Sequence, residues 1–132
     1  MKTWCKKAFV YYLPVILWMI LIFWLSNRPK IVKLENPTSD FFIGKIAHLT
    51  EYAILFILWF HAIYKNSVVK GKNWIIPLVL TVLYAGSDEI HQLFIPTRTG
   101  MARDVIIDGI GGIIGLWMFK NIFPKVQQKL IK

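Results

Sequence analysis

Cysteine is all but absent from this chain, and the single Cys5 excludes an internal disulfide. Acidic residues are scarce as well: seven Asp and Glu face sixteen Lys and Arg, which leaves a formal net charge of +9. That balance does not point to nucleic acid, because the basic residues mostly flank apolar runs and no interleaved basic and aromatic patch is present. It suits an anionic membrane leaflet instead. No N-glycosylation sequon arises at Asn36-Pro37-Thr38, since proline holds the middle position. No A-x-A-like cleavage site follows the first apolar run, where Ser26, Asn27, Arg28 and Pro29 come next, so the run reads as a retained span and not as a cleaved leader. Internal repeats and low-complexity tracts are missing too, and the 132 residues are expected to form one domain.

What is present is apolar: 56% of the residues are hydrophobic and the mean hydropathy is +0.52, well above a soluble domain. Four apolar segments, over about residues 8–25, 44–64, 74–95 and 104–123, predict an all-α integral membrane protein with four transmembrane helices in an antiparallel bundle. Pro14 is tolerable in the first helix if a neighbour compensates for its missing N–H. The stretch from Ser26 to Phe42, with Pro29 and Pro37 and mixed charge, reads as the first loop. Pro96 reads as the stop after the third helix.

Orientation follows from the basic residues. Lys2, Lys6, Lys7, Lys65, Lys70, Lys72, Lys120, Lys125, Lys129 and Lys132 share one side, ten against the six of Arg28, Lys30, Lys33, Lys45, Arg98 and Arg103. The positive-inside rule then puts both termini in the cytoplasm of a multi-pass cell-membrane protein.

Between these apolar segments sits an unusual set of ionisable residues, and such groups at membrane depth are costly and usually functional. Lys45, His48 and Tyr52 lie at i, i+3 and i+7 on the second helix, with Glu51 beside that stripe. Tyr84, Ser87, Asp88, His91 and Gln92 share a face of the third, while Glu89 points about 100° away from Asp88. On the fourth, Asp104 and Asp108 are followed by Gly111 and Gly115, a G-x-x-x-G pair that permits close helix approach. With four spans these segments converge at the outer face, within roughly 10 Å of the boundary at 1.5 Å per residue. His61 lies about 220° around the wheel from His48 and reads as a packing or interfacial residue.

Lys45-x-x-His48-x-x-x-Tyr52, the Asp88-Glu89-x-His91-Gln92 block, Arg98, Arg103-Asp104-Val105 and the Asp104-x-x-x-Asp108-Gly109-x-Gly111-Gly112 segment resemble the VanZ-like family of small membrane proteins. The resemblance extends from the Trp18 to Asn27 run to Gly115, with Ser26-Asn27 standing where members have Ser-Ser. It implies a four-helix envelope protein associated with reduced susceptibility to the glycopeptide teicoplanin, and no particular reaction.

Three readings of the polar set follow. It forms an anion site in which Lys45, Tyr52, Gln92, Arg98, Arg103, Asp104 and Asp108 bind an anionic lipid head group or a lipid-linked cell-wall precursor, Arg offering a bidentate fork to phosphate. Alternatively it is the centre of a membrane-embedded hydrolase or transferase, with His48 or His91 oriented by Glu51, Asp88 or Glu89 as a general base or metal ligand; Ser87 is the nearest candidate nucleophile. As a third reading, it is an ion-pair network that holds the helix ends together. His48-x-x-Glu51 and Asp88-x-x-His91 have the i, i+3 spacing of helical metal sites, yet one His per helix and the neighbouring cations argue against a metal, so neither metal nor cofactor is expected. Membrane lipids are the expected partners; nothing in the sequence sets an oligomeric state.

Overall fold

The structure is a computed structural model that describes residues 2–27, 37–65, 74–96, 98 and 100–122, with 2–8 and 37–40 described by backbone alone. The loop residues Arg28, Lys30, Lys33 and Glu35, the second-loop lysines Lys70 and Lys72, and the tail lysines from Lys125 onward lie outside it.

Among the described residues four helices account for the regular structure: α1 (Lys2–Ser26), α2 (Pro37–Lys65), α3 (Ile75–Gln92) and α4 (Ala102–Asn121). Two of them, through Phe9–Ser26 of α1 and Phe41–Lys65 of α2, are long and apolar enough to cross a membrane. α2 begins seven residues earlier than the Gly44 expected from the apolar pattern. Pro37 stands at its first position, where the missing N–H would have no intrahelical partner anyway, so the proline opens the helix instead of excluding it. α3 stops at Gln92, short of the expected Ile95. Proline disfavours the α conformation in the residue before it, and the chain leaves the helix through tighter bonds from Phe94 N to His91 O (3.0 Å) and Ile95 N to Gln92 O (3.2 Å).

Side-chain pairings give the directions of the helices. Tyr11 meets His61 and Tyr12 meets Trp59 edge-on, with ring centroids 6.0 and 6.2 Å apart, and the Trp18 indole donates to the Glu51 carbonyl at 2.9 Å, so α1 and α2 are antiparallel. Tyr84 donates to the Met19 carbonyl (2.5 Å) while Ser26 reaches Asp88, so α3 runs parallel to α1. α2 and α4 are also parallel: Lys45 meets Asp104 at one end and Phe60 packs on Phe119 at the other, with centroids 4.5 Å apart. The result is an up-down-up-down arrangement. The end of α1, the start of α2, the end of α3 and the start of α4 come together at what is here termed the polar end.

Apolar packing fills the rest. One cluster joins Val15 and Ile22 of α1 to Tyr52, Leu55 and Ala62 of α2 and Ala85 of α3; a second, Phe56, Phe60, Ile63, Tyr64 and Phe119, closes the opposite end. The α2–α4 contact is backbone to backbone. A Cβ at Gly111 would stand 2.7 Å from the Leu49 carbonyl oxygen, and one at Gly115 would stand 2.5 Å from that of Ala53. The G-x-x-x-G pair is thus the seam on which α2 lies, the small residues admitting the neighbouring backbone.

Candidate functional site

The seam fixes the polar end. Running up α2 and α4 in parallel, Lys45 Nζ pairs with Asp104 Oδ1 at 2.6 Å, His48 Nδ1 lies 3.2 Å from Asp108 Oδ1, and the two glycine contacts follow. Arg103 Nε also approaches Asp104 Oδ1, at 3.6 Å, from a side chain that is mostly exposed. Lys45 additionally sits over the Phe41 ring, 5.5 Å from its centroid. Of the stripe expected on α2, Tyr52 is fully buried, its ring stacked on His48 at 6.4 Å and tilted against Tyr84 at 6.4 Å.

α3 contributes two acids in different directions, and both are buried. Asp88 Oδ2 accepts from Ser26 Oγ of α1 (2.7 Å) and from Gln92 Nε2 one turn along (3.0 Å). Glu89 Oε2 accepts the Met101 N–H just ahead of α4 (3.0 Å), placing a carboxylate where the positive end of the α4 dipole favours one. The helical wheel separates these two residues by about 100°, which suggests that one faces away from the site. α3 has α1 on one side and α4 on the other, so that separation aims each acid at a different neighbour.

His91 belongs elsewhere than expected. Its ring lies on Phe23 of α1, with centroids 4.3 Å apart, and its buried Nε2 has no hydrogen-bond partner. The imidazole that does have a carboxylate partner is His48, and the partner is Asp108 of α4, not Glu51, Asp88 or Glu89. Glu51 is half-buried, within electrostatic reach of His48 and Arg98. Arg98 donates through an Nη to the Leu25 carbonyl at 3.3 Å, which ties the segment after α3 to the end of α1. Ser87 is exposed and donates to the Tyr84 carbonyl, so the hydroxyl held against a carboxylate is that of Ser26. Its place at the end of the first apolar run, level with Asp88 once the helices alternate, was the available signal.

His48, Glu89 and Asp108 each bring a ligand-type atom within 4.8 Å of the others. That grouping draws one residue from each of three helices and differs from both i, i+3 pairs. Several buried atoms of this end lack a hydrogen-bond partner among the described residues: Tyr52 OH, Asp88 Oδ1, Glu89 Oε1 and Asp108 Oδ2.

Comparison with known proteins adds one result. No curated protein and no solved structure matches the chain. The family model described as VanZ/LLP1 matches residues 9–124, which takes in all four helices apart from the first turns of α1, and the chain therefore belongs to the VanZ/LLP1 family.

Proposed function

We propose that this VanZ/LLP1 protein is a four-span component of the bacterial cell envelope. In this reading its polar end faces outward and engages an anionic lipid head group or a lipid-linked cell-wall precursor, lowering glycopeptide susceptibility. The observation that carries the reading is the convergence of Lys45, Arg98 and Arg103 with His48 and the buried acids at the end where all four helices meet. Away from that end the outer surface is apolar: Phe9, Leu17 and Ile20 of α1, Val79 and Leu83 of α3, and Ile110, Ile113 and Trp117 of α4 are exposed. In water such a surface is a liability; in lipid it is what a spanning bundle requires. Cys5 and an Ala102→Cys variant lie at opposite ends, which makes the orientation testable with a membrane-impermeant thiol reagent on intact cells. Ala102→Cys is expected to label and Cys5 to stay protected. The reverse pattern refutes the orientation, and equal labelling refutes the span count.

The partly buried His48–Asp108 pair favours a second reading: a hydrolase or transferase acting on a lipid-linked substrate, with His48 as general base and Asp108 holding its ring. Asp88→Asn and His48→Gln separate either functional reading from a purely structural network. Asn at position 88 keeps an oxygen for the Ser26 and Gln92 donors, and Gln at 48 keeps a donor for Asp108. Each variant should remain within about 1 kcal/mol of the parent in detergent stability while the glycopeptide phenotype is lost. Stability falling in step with the phenotype would favour the network.

A further inference from the structure

Among the described residues, the ion pairs at the polar end gather on Asp104 and Asp108: Lys45 and Arg103 both go to Asp104, while Asp108 has His48. Glu89, 4% exposed, has a backbone N–H on one oxygen, and its Oε1 has no hydrogen-bond partner among the described residues. Asp108, 1% exposed, is in the same position: Oδ1 faces His48 Nδ1 and Oδ2 is unpartnered. Two buried carboxylates this close repel strongly unless a shared proton or a positive ion stands between them.

We propose that His48, Glu89 and Asp108 bind a divalent cation of the first transition row, Zn2+ or Mn2+, across α2, α3 and α4. One imidazole and two carboxylates form a borderline-to-hard donor set that suits these ions better than Cu+ or a cluster held by thiolates. The spacing is compatible. Two donors about 2.1 Å from one ion stand about 3.0–3.4 Å apart at right-angled or tetrahedral geometry, and His48 Nδ1 and Asp108 Oδ1 are 3.2 Å apart. All three ligand-type atoms already lie within 4.8 Å of one another, close to the spacing of donors that share one ion. The Met101 N–H on Glu89 Oε2 supplies the outer hydrogen bond that orients a liganding carboxylate and leaves Oε1 for the metal. Three protein ligands leave coordination positions open, and an oxygen ligand such as water or a phosphate oxygen would complete the set.

The site shares His48 and the buried acids with the head-group reading but does not require a lipid to bind, and its test contains no lipid ligand. Full-length protein purified in detergent and stripped with EDTA is titrated with ZnCl2 and with MnCl2 by calorimetry, and bound Mn2+ is observed by electron paramagnetic resonance. One ion per chain is expected, together with a higher melting temperature for the ion-loaded parent. Asp108→Asn and Glu89→Gln should each weaken binding by at least tenfold to a hundredfold. Should a variant fail to fold, the parent's thermal response to ion and to EDTA decides. A parent that takes up no stoichiometric ion and melts unchanged in EDTA, as two acids sharing a proton would, overturns the proposal. Variants that bind as tightly as the parent overturn it equally.

Discussion

Adding one methyl group at Gly111 or Gly115 is expected to lower stability in detergent by about 1–3 kcal/mol, the usual cost of overpacking a close contact. The reason is the identity of what the methyl would strike. At Gly111 it meets the Leu49 carbonyl oxygen at 2.7 Å and the Leu49 Cα at 3.1 Å; at Gly115 it meets the Ala53 carbonyl at 2.5 Å and Cα at 3.0 Å. These are backbone atoms in the middle of α2, which cannot swing aside as a side chain would, so α2 and α4 must separate along their length. Separation also draws Lys45 from Asp104 and His48 from Asp108, so Gly111→Ala and Gly115→Ala should lose function along with stability. Gly86→Ala is the control, because nothing lies within 4 Å of its added Cβ and alanine is the better helix residue by about 0.5–1 kcal/mol. Thermal unfolding of the three variants checks the seam: Gly86→Ala at or above the parent, the other two clearly below. Equal stability of all three would mean that α2 and α4 do not touch there.

Replacing Arg98 by lysine is expected to leave the fold intact and to cost most of the function. The guanidinium is held by its bond to the Leu25 carbonyl at 3.3 Å and lies within electrostatic reach of Glu51. As a mere counter-charge it could be exchanged for an ammonium with little loss. As a clamp on phosphate its planar fork matters, and lysine forfeits the paired hydrogen bonds at a cost of about 1–3 kcal/mol, roughly ten- to a hundredfold in affinity. The check is the glycopeptide phenotype of Arg98→Lys set beside its melting temperature, with the phenotype lost and the melting temperature kept.

Much of this arrangement was legible in the sequence. The four apolar segments locate the four helices, and the polar residues cluster at segment ends that alternation of direction must bring together. The G-x-x-x-G spacing on the face of Asp104 and Asp108 pointed to a close helix contact, and α2 fills it. Boundaries were harder, for local reasons. Pro37 breaks a helix in its interior and opens one at its first position, and only knowledge of where α2 starts decides which. Partners within the cluster were hardest. Spacing along one helix offers His48 its neighbour Glu51 and Asp88 its neighbour His91, whereas Asp88 takes Gln92 one turn along and the partners on other helices, Asp108 for His48 and Ser26 for Asp88, are 60 and 62 residues distant. Glu89 shows the limit of a single-helix wheel: a residue turned 100° from the apparent site face is turned toward a second neighbour when helices pack on both sides.

The head-group reading is tested most directly by native mass spectrometry of the purified protein with anionic and neutral lipids of matched chains, phospholipid and polyprenyl alike. On that reading, anionic head groups are retained on the parent protein at least tenfold more tightly than neutral ones, and Arg98→Lys removes most of that preference. Retention independent of head group, together with an Arg98→Lys variant that keeps its cellular phenotype, would contradict it.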